Sequence, residues 1–387
     1  MCITRSSRHA YSETFIRDQI NTLHTMAEVH TVHSGRFPER QEDGSLLSPF
    51  PLWIAHKIVK GVTGRRNTFF GHWGFKKFLR DHRIEVVLGN YGISAAHLVE
   101  PCRQVGVPLL AIFHGHDASN RRLLSKYREH YLRLFEYAHA VIAVSKDMEQ
   151  GLIGMGANPE KVVLIPYGVD VNKFKPADAR KEKLFLAVGR FVEKKGPQYT
   201  IRAFAHVLAR HPDARLVMVG KHDERYAQCA ALVRELNIGH AVSFPGVLSS
   251  DQVASLMATA LAFVQHSVTA ANGDMEGTPL SILEASACGL PVISTRHAGI
   301  KEAVIHKKTG FLVAEKDTEG MAGYMSRLLD EEGLVVEMGA AGREHILQHH
   351  NQVVQIGKIH ALALKASGRK SNAAASDWIS DRASLTH

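Results

Sequence analysis

The sequence predicts an α/β protein built from two doubly wound parallel sheets, and three observations carry that prediction. Short apolar runs alternate with longer helical stretches along the chain, as parallel strands joined by crossover helices require. The 387 residues exceed what one ordinary core holds, so two domains are expected. The composition, 45% hydrophobic and 22% charged, is that of a globular chain and excludes disorder along most of it.

The first half opens with a short, polar strand candidate, Cys2–Ser6. The apolar runs Val29–His33, Val86–Asn90, Leu109–Phe113, Ala140–Val144 and Val162–Pro166 follow, with helical stretches such as Glu13–Ala27 and Arg121–Ala138 between them. The second half offers strands at Leu184–Gly189, Leu216–Gly220, Val242–Phe244, Leu261–Gln265 and Val292–Thr295, with helices at Gln198–Arg210 and Glu224–Leu236. Two prolines and a glycine in Pro166-Tyr-Gly-Val-Asp-Val-Asn-Lys-Phe-Lys-Pro176 mark the boundary between the halves. The Ser/Ala-rich end, residues 366–387, lacks periodicity and is expected to fray. Two such domains facing each other would put the carboxyl ends of both sheets on one cleft, where ligands bind.

The longest apolar run, around Ala258–Gln265, is far short of the roughly 20 residues that span a bilayer. No signal-peptide pattern opens the chain. Cys2, Cys102, Cys229 and Cys288 lie far apart without a CxxC pair, so buried thiols in a reducing compartment are expected rather than disulfides or zinc. These features predict a soluble cytoplasmic protein. The net charge of +9 favours anionic partners, and it is local: Lys57 to Arg83 holds eight basic residues and one acid.

Four stretches can carry chemistry. In Asn272-Gly-Asp-Met-Glu276-Gly-Thr-Pro-Leu-Ser-Ile-Leu-Glu284, a glycine-containing loop runs into a helix with Thr278 as N-cap and Pro279 as first residue. The amides of Thr278, Leu280 and Ser281, with the helix dipole, make an anion site suited to phosphate. Glu276 and Glu284 flank it and can accept from sugar hydroxyls; alternatively Glu284 is a surface residue on an ordinary connection. In Leu184-Phe-Leu-Ala-Val-Gly-Arg190-Phe-Val-Glu-Lys-Lys195-Gly-Pro, a strand delivers an arginine that can fork two phosphate oxygens and a lysine that acts as a point charge. A solvated basic turn is the plain alternative, and neither a P-loop nor a dinucleotide fingerprint is present.

Third, Leu109-Leu-Ala-Ile-Phe-His114-Gly-His116-Asp117 ends a strand in groups able to bind hydroxyls or move a proton. Without HExxH or D-x-D, metal dependence is not expected. Fourth, in Gly74-Phe-Lys-Lys-Phe-Leu-Arg-Asp-His-Arg83, helical spacing sets Phe75, Phe78 and Leu79 against Lys76, Lys77, Arg80 and Arg83. With Lys57, Lys60, Arg65 and Arg66 upstream, residues 57–83 can lie on an anionic membrane, or the aromatics can pack into the domain while the charges solvate.

In this order the pieces resemble the family 4 retaining glycosyltransferases of the GT-B fold. The resemblance rests on Ser12-Glu-Thr-Phe-Ile16, Phe113-His-Gly-His-Asp117, Ala143-Val-Ser145, Ile165-Pro-Tyr-Gly-Val-Asp170, Gly189-Arg190 with Glu193-Lys-Lys195-Gly196, and Glu276-x7-Glu284 followed by Gly289-Leu-Pro291. The spelling looks most like members that build bacterial exopolysaccharide or lipid-linked glycans. The family often carries a glycine-rich turn after its first strand, where this chain has Arg5-Ser-Ser-Arg-His-Ala-Tyr.

The resemblance implies two Rossmann-like domains, residues 1–170 for the acceptor and 171–350 for the donor. It also implies a helix over 351–366 packing back on the first domain and a flexible tail over 367–387. The co-substrate would be a UDP- or GDP-linked sugar, with no separate cofactor and no metal. Arg190 and Lys195 would hold its diphosphate with Gly277, Thr278, Pro279 and Leu280. Glu276 would contact the sugar and Glu284 the ribose. His114 would act near the reacting centre, while Ser12, Glu13, His116 and Asp117 would lie on the acceptor side. The acceptor would be a glycan or lipid-linked acceptor, and the protein would be cytoplasmic, peripheral at the inner face of the plasma membrane. The rivals are a non-catalytic nucleotide-sugar or polyanion binder, and a sugar phosphorylase or epimerase on a resembling fold. No nucleic-acid motif is present.

Overall fold

The computed structural model describes residues 1–7, 14–64, 69–177 and 182–369. Ser12, Glu13, Arg65, Arg66 and the tail from residue 370 lie outside them. The chain forms two compact units, Met1–Pro166 with Val353–His387, and Tyr167–Gln352.

The first unit is a seven-stranded sheet in the order β3-β2-β1-β4-β5-β6-β7. Its strands are β1 (Cys2–Thr4), β2 (His30–His33), β3 (Arg40–Gln41), β4 (Val87–Asn90), β5 (Leu109–Ile112), β6 (Ala140–Ala143) and β7 (Val162–Leu164). All pairings are parallel except β2 with β3, which forms an antiparallel edge. Every residue of β4, β5 and β6 is buried, because helices cover both faces. That is why these strands read as unbroken apolar runs. The helices are α1 (Thr14–His24), α2 (Phe50–Thr63), α3 (Phe69–Asp81), α4 (Gly92–Val105), α5 (His116–Ser119), α6 (Arg121–Tyr137) and α7 (Lys146–Gly154). The short opening strand proves central, lying between β2 and β4.

The basic stretch divides between two helices with different fates. On α3, Phe75, Phe78 and Leu79 are 0%, 5% and 1% exposed. They fill the core, so they are not a membrane-facing side.

The second unit is a six-stranded, wholly parallel sheet in the order β10-β9-β8-β11-β12-β13. Its strands are β8 (Leu184–Val188), β9 (Arg215–Val219), β10 (Val242–Gly246), β11 (Ala262–Val264), β12 (Val292–Thr295) and β13 (Gly310–Val313). Its helices are α8 (Pro197–Leu208), α9 (Tyr226–Glu235), α10 (Ser250–Thr259), α11 (Leu280–Ala287), α12 (Ile300–Ala303), α13 (Thr318–Asp330) and α14 (Glu332–His349). One core cluster, including Phe185, Phe204, Met321 and Met325, packs α8, α9 and α13 on the sheet. A second, including Phe263, Ile282 and Leu283, packs α10, α11 and α14. The last helix, α15 (Gln352–Ala366), belongs from Val353 onward to the first unit, where Arg369 pairs with Glu85.

Strand order reverses between β1 and β4 in the first sheet and between β8 and β11 in the second. Chains leaving the carboxyl ends of such neighbouring strands diverge to opposite faces and leave a crevice that can take a ligand.

Candidate active site

In the second unit, the loops leaving β8 and β11 flank the reversal. After β8 the chain runs through Gly189-Arg190 into a single 3-10 turn, Glu193–Lys195. Gly196 closes that turn with φ +52°, and a Cβ there would lie 1.9 Å from the carbonyl oxygen of His266. Only glycine permits this approach, which presses the turn against the residues following β11. The amide of Val268 then donates to the Lys194 carbonyl at 2.9 Å.

Lys195 is half-buried in this corner. Its Nζ lies 3.3 Å from Glu276 Oε2 and 3.4 Å from Gln265 Oε1. Gln265 Oε1 also accepts from Ser281 Oγ at 3.5 Å, so one amide oxygen links the lysine to the first turn of α11. Beside it, Lys194 reaches Asp274 at 3.1 Å and the Met275 carbonyl at 3.2 Å, fixing the loop that carries Glu276. Arg190 is exposed, and its guanidinium has no hydrogen bond or ion pair among the described residues. Gly189, Arg190, Lys195 and Gln265 line one pocket.

Glu276 is the unusual group. Its side chain is buried, Oε2 faces Lys195, and Oε1 has no hydrogen-bond partner among the described residues. Burial pushes this carboxyl up, but Lys195 and Lys194 outweigh it and hold the group below the usual carboxylate range. Burial pulls the Lys195 ammonium down; Glu276 opposes that, and Lys194 and Arg190 add to it. Glu276 is thus an ionised carboxylate with one oxygen left for a donor. A relay fixes its backbone: the Glu276 amide donates to His297 Nε2 at 3.2 Å, and His297 Nδ1 donates to Glu315 Oε1 at 2.7 Å. Glu315 also accepts from the Thr269 amide at 3.0 Å, closing the loop on itself.

Helix α11 begins one residue later than the sequence reading placed it. Pro279 is the N-cap with φ −65° and ψ 116°, and Leu280 is the first helical residue. An extended ψ keeps Pro279 outside the helix, so Thr278 is not the cap. The amides of Leu280 and Ser281 head the helix, where no intrahelical acceptor exists for them. Ile282 is already bonded to the Pro279 carbonyl at 3.1 Å. Glu284, half-buried, stands four residues beyond Leu280, about 6 Å along the axis. Gly277 and Thr278 are buried beneath this start, and the Gly277 carbonyl accepts from Gly299 at 3.0 Å. The second unit therefore gathers Arg190, Lys195, Glu276, Gly277, Thr278, Leu280 and Glu284 around one strand reversal.

In the first unit, His114 follows β5. Its ring packs on Phe15 and Tyr91 with centroids 4.8 and 4.6 Å away. Its Nε2 lies 3.0 Å from Asn90 Oδ1. The Asn90 amide nitrogen is committed to Thr4 O and Gln19 Oε1, each at 3.2 Å, so its oxygen must accept. The network thus puts the His114 proton on Nε2 and makes Nδ1 the acceptor nitrogen. Burial pushes the imidazole down to about 3, keeping it neutral at physiological pH. Tyr91 adopts φ 67°, a left-handed conformation costly for a non-glycine residue, at the entry to α4.

Asp117 differs from its sequence reading. It is fully buried, and its carboxylate accepts from the amides of Gly92 at 2.7 Å, His114 at 2.9 Å and Gly115 at 3.1 Å. Those bonds tie α4 and the His114 turn together, which makes Asp117 a positioning residue. Burial raises this carboxyl against the bonds from the amides of Gly92, His114 and Asp117 itself. His116 is exposed. Ser12 and Glu13 lie outside the described residues.

Sequence reading missed Asn90, Tyr91, Lys194, Gln265, His297 and Glu315. The only sequence signal for Asn90 and Gln265 is that each is a polar residue ending an apolar strand. Among the described residues, no group of three His, Cys, Asp or Glu side chains is arranged to hold a metal ion.

The chain resembles known proteins both in sequence and in fold. Residues 169–345 match the family model for glycosyl transferases group 1, and residues 12–173 match that for glycosyltransferase family 4. The putative colanic acid biosynthesis glycosyltransferase WcaL of Escherichia coli is 32% identical over 285 residues, covering 70% of this chain and 68% of that protein. The amylovoran biosynthesis glycosyltransferase AmsK of Erwinia amylovora is 31% identical, covering 69% and 67%. The chain thus spans about two thirds of the length of these relatives. Among solved structures, Anabaena HepE in complex with UDP and glucose superposes with a TM-score of 0.73 at 18% identity, over 94% of this chain and 99% of that one. The fold is that of the GT-B enzymes. The chain belongs to the family 4 glycosyltransferases.

Proposed function

We propose that the chain is a retaining, metal-independent glycosyltransferase acting in bacterial surface or exopolysaccharide synthesis. It would move a sugar from a UDP- or GDP-linked donor to a glycan or lipid-linked acceptor. The observation that carries the reading is Glu276: a buried carboxylate with one oxygen unsatisfied, beside Lys195 and the start of α11. A buried acceptor is costly unless something donates to it, and a sugar hydroxyl does so. Arg190, Lys195 and the amides of Leu280 and Ser281 are assigned to the donor diphosphate, and Glu284 to the ribose. Fixed positive groups stabilise charge growing on a departing diphosphate, the task a divalent cation performs in other sites.

Being neutral, His114 would hydrogen-bond to the donor sugar rather than offer it a charge, with Asn90 and Asp117 holding it in place. Ser12, Glu13 and His116 are assigned to the acceptor side. The relatives' names support an exopolysaccharide role, and mycobacterial relatives at 28% identity are named as GDP-mannose-dependent phosphatidylinositol monomannoside mannosyltransferases. We place the enzyme in the cytoplasm, since its four cysteines are buried free thiols.

The test is transfer from a panel of UDP- and GDP-sugars, with the product's anomeric configuration read by NMR and the reaction repeated in EDTA. The reading expects a product that keeps the donor's configuration and a rate that chelation leaves unchanged. An inverted product overturns retention, and loss of rate in EDTA overturns metal independence.

A further inference from the structure

A second cavity, of about 420 Å³, lies in the second unit between the edge strand β13 and helix α13. That volume falls within the roughly 300–1,000 Å³ typical of small-molecule sites. The cavity shares no lining residue with the pocket that holds Arg190 and Lys195. On the helix side it is lined by Gly320, Gly323, Tyr324 and Arg327, whose i, i+3, i+4, i+7 spacing sets them on one face of α13. Arg296, just after β12, His306, on the approach to β13, and Asp317 complete its polar lining. Glycine is disfavoured inside a helix, yet a Cβ on Gly323 would meet nothing within 4 Å. No packed neighbour calls for glycine there, and the missing side chain keeps the cavity open.

The charged groups of the lining are poorly matched within the fold. The Arg296 guanidinium has no hydrogen bond or ion pair among the described residues, and only its amide is used, by the Val313 carbonyl at 2.8 Å. Arg327 gives Nε and one terminal nitrogen to Glu331, at 2.8 and 3.2 Å, which leaves its other terminal nitrogen. His306 Nδ1 accepts from the Leu312 amide at 3.0 Å. Burial, Arg296 and Lys307 hold this imidazole below its ordinary range, so the ring is neutral with its proton on Nε2. Asp317 is the one acid in the lining, and its Oδ1 already accepts from the Gly320 amide at 2.8 Å. Two guanidiniums on one small cavity repel each other unless an anion joins them.

The donors also fit a particular anion. Arg296, Arg327 and His306 Nε2 are three groups for the three terminal oxygens of a phosphate monoester. Asp317 Oδ2 and the Tyr324 hydroxyl remain for hydroxyl groups beside it. The Tyr324 ring is held by a parallel stack on Phe311, with centroids 4.1 Å apart, and by the edge of His306 at 6.0 Å. We propose that this cavity binds a sugar monophosphate, with the phosphate between Arg296 and Arg327 and the sugar over Gly323 and Tyr324. The site is separate from Glu276, and the proposal does not depend on the sugar-transfer reading.

The test is calorimetric titration of the full chain, in phosphate-free buffer, with glucose 1-phosphate, glucose 6-phosphate, glucose and inorganic phosphate. Three variants accompany wild type: Arg296→Gln, Gly323→Leu and Arg190→Ala, each checked by thermal unfolding. Wild type should bind at least one of the two sugar phosphates more tightly than either glucose or inorganic phosphate. Arg296→Gln should weaken that binding about tenfold or more, since it removes a charge-assisted contact. Gly323→Leu fills the cavity without leaving a strained backbone, so it should abolish binding while unfolding no earlier than wild type. Arg190→Ala should bind as wild type does. The proposal is overturned if neither sugar phosphate binds, if inorganic phosphate binds as tightly, or if Arg296→Gln and Gly323→Leu bind normally. Loss of binding in Arg190→Ala also overturns it, because the ligand would then sit in the loops after β8 and β11.

Discussion

Replacing Lys195 with methionine isolates the electrostatics of the candidate site. The substitution keeps most of the stem's packing and removes the ammonium 3.3 Å from Glu276. The side chains of Lys195 and Glu276 are 18% and 8% exposed, so the carboxylate is left charged and nearly dry. Removing one partner of such a pair costs about 3–5 kcal/mol. Lys194 remains nearby, so the lower end, about 3 kcal/mol, is expected for the second unit. Adding Glu276→Gln removes the stranded charge and should recover most of that loss without restoring activity. The rate should fall about 10²–10³-fold in both variants, as when a group that stabilises departing charge is lost.

The pH dependence follows from the direction of the Glu276 shift. In wild type the carboxyl is held low, so its contribution is present above the unfolded value of 4.5 and is lost as pH falls through the folded one. In Lys195→Met, burial is less opposed and the folded value rises. The stability deficit should therefore be largest near neutral pH and shrink as the solution is acidified towards 4. Thermal unfolding from pH 4 to 8, beside donor turnover, reads both effects. A Lys195→Met protein as stable as wild type at pH 7, or one that turns over donor normally, would refute the argument.

Two other predictions rest on the first unit. Asp117→Ala strands three buried backbone amides, at roughly 1–3 kcal/mol each, so a loss of about 3 kcal/mol or more is expected. For a unit of this size that lowers the unfolding temperature by about 6–12 °C, and a shift under 2 °C would contradict the role. His114→Ala should lower turnover by the same factor at every pH from 5.5 to 8, because an imidazole pushed down to about 3 does not titrate there. A ratio that changes around pH 6–7 would show that His114 gains a proton in the working enzyme.

Much of the fold was legible because parallel strands covered on both faces are plain apolar runs. Leu109–Phe113 and Ala140–Val144 match the observed β5 and β6 to within one residue at their ends. What escaped had no such signal. β3 is a two-residue edge, and β13 is a short run, Gly310–Val313, set among charged residues. Prolines punctuate the start of α2, and its apolar side faces away from the core, so periodicity alone would have pointed it the wrong way.

At the site, Arg190, Lys195, Glu276 and Glu284 were visible because each sits at a strand end or a helix start of recognisable spelling. The parts that fix them were not. His297 and Glu315 lie 21 and 39 positions beyond Glu276, and only the folded sheet joins them to its amide. Asp117 looked like a ligand contact because sequence cannot show three backbone amides converging on one carboxylate.

Nucleotide binding tests the central claim most directly. Calorimetric titration of the intact chain with UDP, GDP and ADP, alongside Arg190→Ala and with EDTA present, needs no acceptor. The account predicts that UDP or GDP binds, that ADP does not compete, and that Arg190→Ala weakens binding at least tenfold while its fold is unchanged. If no nucleoside diphosphate binds, or if the variant binds as well as wild type, the loops after β8 and β11 are not the donor site.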